Sequence, residues 1–123
     1  MKTVAHAIYG ILGTLAVGLG VLVLFKPALA LPPEAYSPLT AHLIREQGAE
    51  GVFIGLMAFW CLFHFEERRP VHLALLLFAA LFAIVHWAEY FQARRQLSSP
   101  ILNSLPFLLL LAATPFGRFA GRA

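Results

Sequence analysis

The residues able to do chemistry fall at two levels of this chain. His42, Glu46 and Glu50 recur at steps of four with Arg45 and Gln47 beside them, while His86, Glu89 and Tyr90 stand at i, i+3 and i+4. On helices such spacing gathers each group on one face. Carboxylates and imidazoles at matched depth in apolar surroundings bind a divalent cation, pass a proton or anchor a polar ligand, because a buried carboxylate needs either a partner or a proton. Glu50 and His86, the deepest of the set, carry most of this expectation and are the first candidates for a metal there. Glu46, Glu89, Tyr90, Arg45 and Asn103 complete one polar pocket built from three helices. The structural alternative places Arg45, Glu46 and Glu89 in a headgroup zone, snorkelling or closing an ion pair. A second set comprises His6, Cys61 and His64 at i, i+3, and His72. Three imidazoles and a thiol are metal-ligand types, although histidines at both ends of a hairpin are also ordinary interfacial residues.

The elements that must hold these residues are apolar. Four such stretches, about 3–25, 51–65, 71–91 and 101–117, take up most of the 123 residues, at 60% hydrophobic and 12% charged. With a mean hydropathy of +0.79, that composition fits lipid as the solvent better than water. Every backbone polar group at membrane depth must then be satisfied within its own segment, which predicts helices. The expected fold class is all-α, an integral membrane four-helix bundle with up-down topology. It forms a single domain over 1–123, with helices at about 3–25, 39–66, 71–94 and 100–118. The net charge of +3 comes from basic residues scattered at segment ends, where lipid headgroups account for them and nucleic acid is not implied. One cysteine excludes an intrachain disulfide.

Lys2, an apolar run and Pro27-Ala28-Leu29-Ala30 imitate a secretory signal, but the run is long, and Lys26 and Pro27 interrupt it before the small residues, so a retained first helix is expected. Four prolines between Lys26 and Pro38 predict an extended connector, and Ser37-Pro38 predicts an N-cap ahead of the second helix. Glu66 to Pro70 is a charged turn, and Gln96 to Pro100 supplies the last one, with Ser99 as N-cap. Lys and Arg counts in the loops favour cytoplasmic termini by five to four.

Gly10, Gly13, Ala16 and Gly20 form one small-residue stripe and Gly48, Gly51 and Gly55 another, so the first two helices should touch. Treating the second and third helices as a packed antiparallel hairpin centred near residues 67–68 sets Glu50 opposite His86.

Two family resemblances follow from these residues. Gly10-x-x-Gly13 through Gly20, Phe25-Lys26-Pro27, and Arg45-x-x-Gly48 with Gly51 and Gly55 resemble the DoxX-like small four-helix membrane proteins. That resemblance implies a bacterial inner-membrane accessory or interaction subunit, working as a homo-oligomer or within a larger membrane complex in contact with lipid. Gln47-x-x-Glu50 and His86-x-x-x-Tyr90 resemble motifs of the membrane-associated eicosanoid and glutathione metabolism superfamily, which implies a glutathione-transferase-like enzyme using Tyr90. Ala83, Glu46 and Asn103 stand where that family carries the basic residues that hold its anionic cofactor. A proton-coupled transporter relying on Glu50 is the third reading. The residues leave any cofactor undetermined.

Overall fold

Local chemistry sets the helix ends. Ser37 is extended (φ −143°, ψ 164°); its hydroxyl accepts the Thr40 N–H at 3.1 Å, and Thr40 Oγ1 accepts the Ser37 N–H at 2.8 Å. This reciprocal cap, with Pro38 in the first position where no N–H is needed, starts a helix well before its apolar run. The computed structural model describes residues 2–93 and 97–114. Among the described residues it is all-helical and without strands: α1 (Lys2–Phe25), α2 (Pro38–Phe63), α3 (Arg69–Ala93) and α4 (Ser98–Ala113). The connector between α1 and α2 is not extended throughout. Pro27–Ala30 and Pro33–Ala35 each form a short 3-10 turn that begins on proline, whose fixed φ suits a first turn.

α4 starts two residues ahead of expectation, capped by Leu97 rather than Ser99. Pro100 then occupies the first turn, where an amide proton has no intrahelical acceptor, while Pro106 lies inside the helix and cannot donate to the Leu102 carbonyl. The expected extensions of α3 to 94 and of α4 to 118, with Pro115, lie outside the described residues.

α1 and α2 make the most extensive helix contact, and glycine is the reason. A Cβ built on Gly20 would stand 2.6 Å from the Gly48 carbonyl oxygen, and one on Gly55 would stand 2.9 Å from that of Gly13, so the helices cross backbone to backbone and run antiparallel. Gly10 and Gly18 face open space instead. α3 packs mainly on α4, where the Trp87 indole donates to Ser104 Oγ at 3.0 Å and Ser104 donates to the Pro100 carbonyl at 2.7 Å. Contact between α2 and α3 is sparse. The two pairs join through a core of Ala5, Ile8, Tyr9, Ala58, Cys61, Phe65, Leu75, Ala79, Leu110 and Ala113, which lies at the end where α1 begins and α2 turns into α3.

The outer faces are apolar. Leu15 and Leu19 on α1 are 56% and 59% exposed, and Leu77 and Ile84 on α3 are 61% and 62% exposed. α1 and α3 are long and apolar enough to cross a membrane, and only 22% of each apolar window is buried, whereas the central helix of a water-soluble core would be mostly covered.

Candidate functional site

Two polar loci emerge, one closed and one open. The closed one sits in the common core. Thr114 gives its single hydroxyl proton to the Leu110 carbonyl at 3.0 Å, so toward His72 it can only accept, taking Nε2–H at 2.9 Å. That assignment leaves Nδ1 of His72 as an acceptor, and Tyr9 O–H donates to it at 2.7 Å. One directional chain thus links α1, α3 and the end of α4 around a neutral imidazole. Arg68, 2% exposed, lies beside it: its guanidinium stacks 3.6 Å from the Phe65 ring centroid and donates to the Phe65 carbonyl. Its positive charge is within electrostatic reach of Tyr9, Cys61 and His72. Tyr9 and His72 have no exposed surface, so the hydrogen-bonded chain is a clasp closed within the core.

The open locus is a groove of about 710 Å³ between α2 and α3. The glycine face of α2 is turned to α1, and Glu50, Phe53 and Met57, at i, i+3 and i+7, line a different face that opens toward Val71, Leu75 and Phe78 of α3. Glu50 brings the groove its carboxylate; every other lining side chain is apolar. It is exposed, and among the described residues it makes no hydrogen bond or ion pair.

The residues singled out from the sequence are distributed around these loci. Glu50 and His86 share no hydrogen bond or ion pair: Nδ1 of His86 donates to the Phe82 carbonyl of its own helix at 2.9 Å, and its ring lies 4.5 Å from that of Phe82. The groove wall opposite Glu50 belongs to the first half of α3, because α2 packs on α1 and leaves α3 apart. Glu46 pairs with His42 on its own helix at 3.2 Å, and Arg45 and Glu89 are exposed. Tyr90 packs edge-on against Trp87, and the Asn103 amide donates to the Ser99 carbonyl of its own helix at 2.8 Å. The second set is dispersed as well. His6 stacks on Phe65, His64 stacks on Trp60, and His72 belongs to the clasp. Among the described residues no three of His, Cys, Asp or Glu converge to hold a metal ion.

Thr114 and the interior placement of Arg68 and Tyr9 were not legible as a unit. The available signal was that Arg68 and His72 are one helical turn apart at the start of a helix, which puts a cation and an imidazole on the same face. Compared with models of protein families, with curated proteins and with solved structures, the chain matches none.

Proposed function

We propose that this chain is an integral membrane protein whose four helices cross the bilayer in alternating directions, and that it acts as an accessory or interaction subunit rather than as an enzyme. The observation that carries this reading is the apolar outer surface. Long aliphatic side chains of α1 and α3 face outward over most of their length, while Arg68 and His72 are buried among the apolar residues of the core. In water an apolar surface on that scale drives association; in lipid it is the ordinary solvent-facing surface. The DoxX-like resemblance of the glycine stripes and of Phe25-Lys26-Pro27 supports the same assignment, with a bacterial inner-membrane location, and the Lys and Arg counts in the loops favour cytoplasmic termini. The clasp supports a structural role, since its hydrogen bonds end on the protein itself.

Three measurements test it together. The protein should stay with membranes through an alkaline carbonate wash. With Cys61 replaced by alanine, cysteines placed at Glu67 and at Glu34 should be labelled by an impermeant maleimide from opposite sides. Gently extracted native protein should run as a homo-oligomer or with a larger complex in native mass spectrometry. Release by carbonate, or labelling of both positions from one side, overturns the spanning topology, and a bare monomer overturns the subunit role.

One observation favours transport as a second reading. Glu50 lies at the middle of α2, twelve residues after Pro38 and thirteen before Phe63, hence about 18 Å from one end and about 20 Å from the other at 1.5 Å per residue. An ionisable side chain at that depth is a default functional candidate. Proton-driven flux abolished by Glu50→Gln would establish this reading, and flux unchanged in that variant would remove it.

A further inference from the structure

We infer that the groove between α2 and α3 is a binding site for lipophilic cations, with Glu50 as counter-ion. This rests on the reading that α2 crosses the bilayer, and not on the accessory role. A volume near 710 Å³ is that of a small-molecule site, and the α3 wall from Pro70 to Phe78 runs about 12 Å along the helix axis. The chemistry of the wall selects the ligand. An apolar body is matched by Met57, Val71 and Leu75, and a positive charge by the carboxylate of Glu50. The aromatic rings of Phe53 and Phe78 also line the groove, and aromatic rings attract a cation more than a neutral or anionic guest. No basic side chain lines the groove, so Glu50 has no competing counter-ion there. On that reading of α2, lipid around the apolar groove screens the attraction between Glu50 and a bound cation less than bulk water would.

The same outline fits no permanent neighbour within the chain. Lys2, Lys26, Arg68 and Arg69 sit at or near helix ends, and Arg45, five residues before Glu50 on the same helix, does not line the groove. The site is therefore suited to a guest that arrives through the lipid with its own charge.

The test is equilibrium binding of tetraphenylphosphonium to the full chain in zwitterionic lipid nanodiscs, with tetraphenylborate as a probe of the same shape and opposite charge. Saturable binding of the cation alone is expected, weakened about tenfold or more by Glu50→Gln and retained in Glu50→Asp. Ala74→Trp, which fills the groove while leaving Glu50 in place, should abolish it. Binding equal to that of empty nanodiscs, binding indifferent to Glu50→Gln, or equal binding of the borate overturns the proposal. So does a Glu50-dependent dimer or co-purified helix that occupies the groove. Carbonate extraction run beside it separates the two failures: a protein that resists the wash and binds no cation refutes the site alone.

Discussion

The closest helix contact in the molecule gives the sharpest energetic prediction. A Cβ on Gly48 would lie 2.8 Å from the Gly20 carbonyl oxygen, 2.9 Å from the Leu24 nitrogen and 3.0 Å from Val23 Cγ2, where ordinary contact begins near 3.4 Å. Two of those three atoms are backbone and cannot rotate away, so Gly48→Ala must push α1 from α2 by several tenths of an ångström. Overpacking on this scale costs about 1–3 kcal/mol. Replacing glycine by alanine in a helix also returns about 1 kcal/mol of propensity, which would blur a single measurement. Gly10 removes the ambiguity, because nothing lies within 4 Å of its Cβ position and Gly10→Ala collects the propensity gain without a clash. The stability difference between the two variants should therefore be about 1–3 kcal/mol in favour of Gly10→Ala. Equilibrium unfolding in mixed micelles, followed by circular dichroism and by Trp60 and Trp87 fluorescence, reads it directly. Gly20→Ala should behave like Gly48→Ala, and the double variant should cost less than the sum, since both clashes are relieved by one displacement. Equal stability of Gly48→Ala and Gly10→Ala would refute the backbone-to-backbone crossing.

Two further outcomes follow from the polar groups. Tyr9→Phe deprives buried Nδ1 of His72 of its donor and should cost about 1–3 kcal/mol, with Thr114→Val similar and the pair less than additive; a Tyr9→Phe variant as stable as the parent in the same unfolding assay would show that the clasp does not bear on folding. At the exposed turn, the Lys2 ammonium 2.6 Å away holds the Glu66 carboxyl below the usual carboxylate range. Because the folded value is the lower one, this contribution is fully present above the unfolded Glu value of about 4.3 and fades as pH falls through the folded value; it should be small and weakened by salt. Carbon-detected titration should show the Glu66 midpoint rising in Lys2→Met, and an unmoved midpoint would rule out the pair in solution.

Much of the scaffold is visible in the residues themselves. Ser37-Pro38 marks the start of α2 because hydroxyl and proline each satisfy a specific need of a helix N-terminus, and the glycine stripes mark the α1–α2 contact because only missing side chains allow such approach. The ends of α2 and α4 were less legible. Apolar composition continues past Phe63 to Phe65, yet the chain leaves the helix there to bury Phe65 and Arg68 against the core. Leu97 caps α4 with no side-chain hydrogen bond, which no residue type announces.

That Glu50 and His86 share no hydrogen bond or ion pair has one physical source. Aligning levels across a hairpin by residue number assumes that helices adjacent in sequence are also the tightest neighbours in space. Where apolar surface is abundant on every face, hydrophobicity does not choose between partners, and the depth of approach does. α3 has no glycine, and its buried positions are His72, Leu75, Ala79 and Ala83, whereas α1 offers Gly13 and Gly20 to Gly55 and Gly48. α2 therefore commits its small-residue face to α1. Glu50, two residues beyond Gly48, is rotated by about 200° from that face at 100° per residue. The same rotation that packs α2 tightly against α1 thus leaves its carboxylate facing an apolar groove, which is why an acidic side chain in mid-helix remains accessible at all.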